Sequence, residues 1–248
     1  MVRVTMKDPK IWKTFVSSVT ALIEEAAFTF SPDGVRMKAM DPSKISMVDF
    51  ELSPDAFDEF KVKERVVAGV KLTEFERALS RMKSKDQLTL EVDTEKNRLN
   101  LIFKGASTRK LGIPLLSAEE EEFPEPKLNF AAKVTLQASV LKDGLKDAEM
   151  VAENVRLNAD KNSFSILAES DRGTSELVLS KGDEGLVGLD VSEPATAIYS
   201  VRYLIDMVGG TSPSDQVTLK FSTDLPLEID FGVANGRFRF LLAPRVET

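Results

Sequence analysis

KDQLTL at residues 85–90 returns as SDQVTL at residues 214–219, an offset of 129 residues. In both copies an aspartate precedes alternating polar and apolar residues, a pattern typical of a strand with one buried face. Two further short matches occur in the same order and at nearly the same offset: EAAFTF (25–30) with ENVRLNA (153–159), and VKL (70–72) with VRY (201–203). Since the offset is about half of the 248-residue chain, the sequence predicts two similar halves.

Between the halves lies SAEEEEFPEP at residues 117–126, with four consecutive glutamates and two prolines. Like charges repel one another, and proline is excluded from helix interiors and central strands, so this segment is predicted to be extended and exposed. A purely solvated linker leaves its one aromatic residue, Phe123, unexplained. We therefore predict a first domain at 1–116, an interdomain connector at 117–127 and a second domain at 128–248.

Each half is predicted to contain two short amphipathic helices and several strands, which is an α+β fold with helices packed on antiparallel sheets. Asp8-Pro9 predicts the start of the first helix. Thr73 together with Glu76 predicts a capping box at the second helix. SPDG at residues 31–34 predicts a hairpin between two strands.

The composition excludes many kinds of active site. The chain contains no cysteine and no histidine, which rules out disulfides, thiolate nucleophiles, Ser-His-Asp triads and Cys/His zinc sites. Carboxylate chemistry stays open, and a hydrolase that uses Asp224 and Asp230 is one alternative, although no Gly-rich phosphate loop or metal-ligand cluster accompanies this pair. No apolar run approaches roughly 18 residues, so no membrane span is predicted. No metal and no cofactor is expected.

The chain is acidic: its 33 Lys and Arg residues against 40 Asp and Glu residues give a net charge of -7. A surplus of acid argues against a protein that coats itself with nucleic acid. Cations nevertheless recur on the polar faces of the predicted helices: Lys10 and Lys13, Arg77 and Arg81, Lys142 and Lys146, and Arg202. If the helices shared one surface, that surface would be positive while the rest of the molecule stayed acidic.

Four motifs carry a resemblance to a known family. They are MDPS at residues 40–43, VRYL at 201–204, DLPL at 224–227 and LLAPR at 241–245. Together with the two similar halves and the acidic connector, their order and spacing resemble the sliding clamps of the proliferating cell nuclear antigen family, and most of all an archaeal member. The resemblance covers the whole length of the chain.

The family forms a ring of three subunits, each with two like-folded domains, around duplex DNA, with strands outside and helices lining the hole. The resemblance therefore implies a DNA sliding clamp, a polymerase processivity factor with no catalytic activity, which acts in replication and repair. The implied partners are its own copies, duplex DNA of any sequence, and the DNA polymerase, clamp loader, flap endonuclease and DNA ligase, which bind through short peptide motifs. The implied location is the cytoplasm, in association with the nucleoid.

The resemblance also implies two sets of site residues. A pocket for client peptides would comprise Met40, Lys44, Ile45, Met47, Phe123, Pro226, Phe240, Ala243 and Pro244. Ring closure would pair an edge strand at 108–115 with an edge strand at 174–180 of the neighbour, and the interface candidates are Arg81, Lys83, Arg109, Asp143, Asp147, Leu177 and Leu179. These charges could meet within one chain or between chains.

Two alternatives share the same fold. One is a scaffold that does not encircle DNA, and the other is one subunit of a heterotrimeric clamp. Sizing at several concentrations distinguishes a self-sufficient ring from both, because a permanent monomer argues against self-assembly.

Overall fold

Each half of the chain contributes two short helices. A computed structural model describes residues 2–6, 9–118, 123, 128–233 and 235–245. Within those ranges the α-helices are α1 (Lys10–Val19), α2 (Leu72–Leu79), α3 (Ala138–Val151) and α4 (Val201–Val208), and a short 3-10 helix spans Pro54–Ala56. The prediction of two helices per half is confirmed. None of the helices in this part of the chain is long and apolar enough to cross a membrane.

Antiparallel strands make up most of the remaining regular structure. The first half contains β1 (Val2–Met6), β2 (Glu25–Ser31), β3 (Gly34–Met40), β4 (Ser46–Leu52), β5 (Glu59–Val62), β6 (Val66–Lys71), β7 (Gln87–Asp93), β8 (Arg98–Lys104) and β9 (Thr108–Pro114). The second half contains β10 (Ala132–Gln137), β11 (Asn154–Ala159), β12 (Ser163–Ser170), β13 (Gly173–Ser180), β14 (Leu186–Val191), β15 (Ala195–Ser200), β16 (Gln216–Phe221), β17 (Leu227–Val233) and β18 (Gly236–Leu242). The expected α+β fold with antiparallel sheets is confirmed.

The chain divides into two compact units. Unit 1 comprises Met1–Pro42, Val48–Pro124 and Gly232–Phe238, and unit 2 comprises Ser43–Met47, Glu125–Phe231 and Arg239–Thr248. The main division falls within the acidic segment. A short piece from each half of the sequence is grouped with the opposite unit, so Lys44 and Ile45 belong to unit 2.

Unit 1 contains a sheet of order β5-β1-β7-β8-β9 and the neighbouring strands β3, β2 and β6. Its core centres on Trp12 of α1, whose ring centroid lies 5.5 to 6.1 Å from those of Phe15, Phe28, Phe50 and Phe75. The predicted hairpin is confirmed, since Ser31 pairs with Gly34. Gly34 has a φ of 140°, and a Cβ there would lie 2.2 Å from the carbonyl oxygen of Leu52, so the turn requires glycine.

Unit 2 contains a sheet of order β13-β12-β11-β15 and the neighbouring strands β14, β10, β16 and β17. Its core contains two pairs of aromatic rings. The ring centroids of Phe164 and Phe221 lie 6.5 Å apart, and Phe231 stacks on Phe240 with ring centroids 6.0 Å apart. Tyr199 of β15 is also fully buried.

The repeated KDQLTL and SDQVTL segments lead into β7 and β16. Each of these strands pairs with the first strand of its own half of the chain. β1 pairs with β7 and β10 pairs with β16, both antiparallel. Across the first pair the hydroxyl groups of Thr5 and Thr89 lie 2.8 Å apart, and across the second those of Thr135 and Thr218 lie 3.0 Å apart. The two halves thus repeat a cross-strand hydrogen bond as well as a strand order.

The aspartate that precedes each repeated strand also has the same role twice. A carboxylate oxygen of Asp86 accepts the backbone N–H of Lys83 at 2.9 Å, and one of Asp215 accepts that of Ser212 at 2.6 Å. Each aspartate therefore stabilises the turn that leads into its strand. This explains why the repeat begins with aspartate rather than with the strand itself.

Both predicted helix starts need correction. Asp8 lies outside the described residues, and Pro9 occupies the position before α1 rather than its first turn. The capping box at Thr73 is wrong, because α2 begins at Leu72 directly after β6 and no side chain caps it. The backbone N–H of Leu72 instead donates to the carbonyl of Glu24 at 2.9 Å. A neighbouring strand end therefore replaces the predicted side-chain cap.

Candidate DNA, client and subunit surfaces

The helices of unit 1 carry exposed cations opposite the core. α1 buries Ile11, Phe15 and Val19 and exposes Lys10 and Lys13. Residues three apart on a helix lie on the same face, so both lysines share one face. α2 exposes Arg77, which pairs with Glu74 one turn earlier, and Arg81 is exposed just beyond the helix.

The helices of unit 2 carry cations with closer partners. Lys146 is exposed on α3. The Nε of Arg202 lies 3.2 Å from a carboxylate oxygen of Asp206, and Nη1 lies 4.0 Å from Glu149. The ammonium of Lys142 donates to the carbonyl oxygens of Gly209 and Thr211, which follow α4, at 3.1 and 2.6 Å.

Lys13 and Lys142 are equivalent under the offset of 129, but their surroundings differ. Lys13 lines a groove of about 190 Å³ together with residues of α1 and α2. Lys142 is half-buried, and burial, followed by the charge of Lys146, lowers the pKa of its ammonium. A lysine that satisfies the carbonyls at a helix C-terminus stabilises that helix. Lys142 therefore joins α3 to the end of α4, whereas Lys13 has its charge at the surface.

Several client-pocket candidates lie together in unit 2. The backbone N–H of Ala243 donates to the carbonyl of Ile45 at 2.8 Å, which holds residues 243–245, the tail of unit 2, beside Ile45. Ile45, Pro226, Ala243 and Pro244 are each partly exposed, so their apolar atoms are accessible. Lys44 is exposed and has a φ of 58°.

Two pocket candidates of the same unit are core residues. Met47 is 4% exposed and Phe240 is 0% exposed, with its ring stacked on Phe231. Neither can touch a bound peptide in this arrangement, and both support the surface from beneath. The burial of Phe240 follows from the two-residue period of β18, because Phe240 lies on the same strand face as the buried Phe238 and Leu242.

Met40 and Phe123, the other two pocket candidates, line a groove of about 390 Å³ in unit 1. Gly69 of β6 forms a bridge with Leu116 at the base of this groove. A Cβ on Gly69 would lie 2.6 Å from the Cβ of Ala118, so the close approach of this segment requires glycine. Leu116 and Ala118 thus lie close against β6.

The strands expected at subunit contacts are both at sheet edges. β9 ends the sheet of unit 1, and β13 ends a sheet of unit 2. β9 contains Arg109 and Lys110, and β13 contains Glu176. Asp143 and Asp147 of α3 are exposed, as are Arg81 and Lys83. Exposed cations therefore lie beside β9, and exposed carboxylates lie on and beside β13.

Three interface candidates already have partners within their own unit. Arg109 forms an ion pair with the buried carboxylate of Asp86 and donates to the carbonyl of Arg81 at 2.9 Å. Leu177 packs against Gly144 of α3, where an added Cβ would lie 2.7 Å from a methyl group of Leu177. Leu179 is buried. These residues fix the edge strands, and the exposed charges nearby are the groups available to a second chain.

A buried ion-pair cluster joins three strands near the tail of unit 2. Glu228 is 5% exposed, and its carboxylate oxygens lie 2.6 Å from the ammonium of Lys220 and 2.9 Å from Nε of Arg239. Burial raises the pKa of Glu228, but the two cations more than offset this and hold the pKa below its ordinary value of 4.5. The cluster therefore fixes β16, β17 and β18 to one another.

Glu228→Gln should lower the free energy of unfolding by about 1.5–3 kcal/mol at pH 7, because it removes the negative charge that lies against two partly buried cations. A lowered pKa stabilises the folded state above the ordinary pKa, and that stabilisation is lost as the pH falls through the folded-state pKa. The difference between variant and parent should thus shrink below pH 4.5. Guanidinium unfolding at pH 7 and at pH 3.5 measures it, with Glu193→Gln in an exposed loop as the control. An equal difference at both pH values would contradict the assignment.

Tyr199, Glu228 and Asp86 were not predicted as contributors to these surfaces. Each of them bonds a partner that is distant in the sequence. Tyr199 in addition lies at a buried position of a strand with alternating burial, where sequence predicts an ordinary core residue. In the described part of the chain, no group of three or more carboxylates could hold a metal ion.

Known proteins resemble this chain along its whole length. Residues 1–116 match the family described as "Proliferating cell nuclear antigen, N-terminal domain", and residues 125–246 match its C-terminal domain. The chain is 38% identical over 245 residues to DNA polymerase sliding clamp 1 of Thermococcus kodakarensis, which covers 98% of each chain.

Solved structures agree with this match. The crystal structure of PCNA from Thermococcus kodakaraensis superimposes with a TM-score of 0.95 at 26% identity, over 99% of this chain and 100% of that one. A. fulgidus PCNA, to which the C-terminal region of FEN-1 is bound, superimposes with a TM-score of 0.89 at 25% identity over the full length of both. The matches of both halves to the two domains, in order, and the similarity to a relative over 98% of the chain establish that the chain belongs to the proliferating cell nuclear antigen family.

Proposed function

We propose that this protein is a DNA sliding clamp, a non-catalytic processivity factor that encircles duplex DNA as a homotrimer. The observation that carries the proposal is the set of exposed cations on the helices of unit 1, to which Lys146 and Arg202 of unit 2 add, in a chain whose net charge is -7. Phosphate contacts by Lys10, Lys13, Arg77 and Arg81 of unit 1, and by Lys146 and Arg202 of unit 2, do not depend on base sequence. Lys142 contributes by holding α3 against α4.

An acidic surplus outside the helices fits this role. Negative charge elsewhere repels DNA, so the duplex is favoured only along the helix surface. A ring stays on DNA because it is closed, and it needs contacts weak enough to slide. Few exposed cations, several of them paired with acids, meet that requirement better than a dense basic patch.

Ring closure is proposed to pair β9 of one subunit with β13 of the next. An unpaired strand edge is a hazard that closure removes, and a heterologous contact closes into a ring when its rotation allows. Arg81 and Lys83 beside β9 would face Asp143 and Asp147 beside β13. Such steering charges set the register of the contact and exclude wrong partners.

Client proteins are proposed to dock on unit 2 at Ile45, Pro226, Ala243 and Pro244, with Lys44 at the rim. Residues 117–127 would be the connector between domains 1–116 and 128–248. Met40 and Phe123 of unit 1 stay client contacts that the family resemblance alone implies. The relative from A. fulgidus binds the C-terminal region of FEN-1, and we propose the same class of peptide here. DNA polymerase, the clamp loader and DNA ligase are further proposed clients, in the cytoplasm near the nucleoid.

Loading on nicked circular DNA tests the function. Protein loaded by its clamp loader should remain on the closed circle and be lost when the circle is cut once, because a topological ring slides off free ends. Lys13→Glu combined with Arg77→Glu should reduce loading, since it reverses two exposed cations that lie outside the proposed subunit contact and leaves the core unchanged. Retention on linear DNA would contradict the sliding clamp. Failure of the chain to load without a second kind of subunit would instead support a heterotrimer.

A further inference from the structure

The outer edge of β15 carries two segments of unit 2. β15 is the last strand of its sheet, so the backbone groups on its outer side need partners. The N–H of Asp224 donates to the carbonyl of Thr196 at 3.2 Å, and the N–H of Arg245 donates to the carbonyl of Ile198 at 2.7 Å. The first bond holds the turn that carries Pro226, and the second holds the tail that carries Pro244.

Tyr199, on the buried face of the same strand, supplies another bond to the turn. Its hydroxyl donates to the carbonyl of Leu225 at 2.6 Å, while the side chain is fully buried. Burial, followed by the negative charge of Asp224, raises the pKa of Tyr199. The phenol therefore remains a hydrogen-bond donor well into alkaline solution.

The residues that β15 holds are the apolar ones at the surface. Leu225 is 42% exposed, and Pro226, Ala243 and Pro244 are partly exposed. The backbone N–H of Ala243, two residues before Arg245, donates to the carbonyl of Ile45. The tail is thus bonded to Ile45 through Ala243 and to β15 through Arg245, and the turn that carries Pro226 is bonded to β15 by backbone and side chain.

We infer that Tyr199 is a positioning residue for client peptides: its hydroxyl fixes the carbonyl of Leu225 and so presents Pro226 in its binding position. This inference rests on the proposed docking of clients on unit 2. A surface that is rigid before binding loses less conformational entropy when a peptide binds. The hydrogen bond from Tyr199 to Leu225 therefore lowers the entropic cost of binding, although Tyr199 does not touch the peptide. Residues far from the peptide can change affinity in this way.

Tyr199→Phe tests the inference because it removes only the hydroxyl and keeps the buried ring. The probe is a fluorescent peptide with the C-terminal sequence of FEN-1, measured with the full-length trimer by polarisation and stopped flow. We expect the affinity to fall about three- to tenfold, mainly through faster dissociation, with the trimer intact. Hydrogen exchange at the amides of Asp224 and Leu225 should accelerate.

Tyr203→Phe is the matched control, since the chain has two tyrosines and this change removes the other hydroxyl from the same unit. It should bind the peptide as the parent does. A parent protein that does not bind the peptide would overturn the proposed docking site. A parent that binds, with Tyr199→Phe binding equally well, would overturn the positioning role alone, whatever the change in thermal stability.

Discussion

Replacing Asp143 and Asp147 with lysine should convert the trimer into folded monomers. Both side chains are exposed on α3, so their own unit loses no buried partner. At the proposed contact, however, each new lysine would face Arg81 or Lys83, and like charges brought together across an interface cost several kcal/mol. We expect the dissociation constant of each contact to rise at least ~100-fold. Sedimentation velocity at several protein concentrations measures the change.

Adding Arg81→Asp and Lys83→Asp to that variant should restore the trimer, because the four changes exchange the signs of both partners. The ion pair of Arg109 with Asp86 does not use the side chain of Arg81, since Arg109 bonds only the backbone carbonyl of residue 81. Glu64→Lys with Glu193→Lys is the control, which makes the same change in net charge at two exposed loop positions. A trimer that survives the first reversal, or a fourfold variant that stays monomeric, would show that these charges do not meet.

The duplication was predictable from sequence because it rests on local patterns that are written twice. The aspartate, the threonine and the alternating apolar residues of β7 recur in β16, and each keeps its structural role. Asp86 and Asp215 accept equivalent backbone N–H groups, and Thr89 and Thr218 bond equivalent threonines. Short-range patterns of this kind determine strand faces and turns, and they transfer directly from sequence to fold.

The partners of single polar side chains were not predictable in the same way. Lys13 and Lys142 are the same residue at equivalent positions, but only Lys142 bonds the carbonyls after the paired helix. Tyr199 reaches Leu225 and Arg109 reaches Asp86 across 26 and 23 residues of chain. Their acceptors include backbone carbonyls, which every residue has, so no residue type marks them. Such contacts decide which candidates face solvent, and only the folded chain reveals them.

Ile45→Glu should abolish the binding of the FEN-1 C-terminal peptide. The side chain is partly exposed beside the tail, and the backbone bond from Ala243 to its carbonyl does not depend on the side chain. An apolar peptide would bury the new carboxylate without a partner, which costs several kcal/mol in addition to the lost apolar contact. We expect affinity to fall more than ~100-fold in a polarisation assay, with the trimer unchanged.

Ile45 is the right position for this test because its side chain is partly exposed, whereas Phe240, a larger apolar candidate in the same unit, is a core residue. Truncating a buried phenylalanine costs about 3–5 kcal/mol, so a Phe240 variant would lose peptide binding through unfolding. Met150→Glu is the matched control for Ile45→Glu, since Met150 lies in the same unit and is 77% exposed on α3. It should bind the peptide normally. If Ile45→Glu also bound normally, the peptide would dock elsewhere, and the bonds that join the tail to Ile45 and β15 would serve only to hold the tail in place.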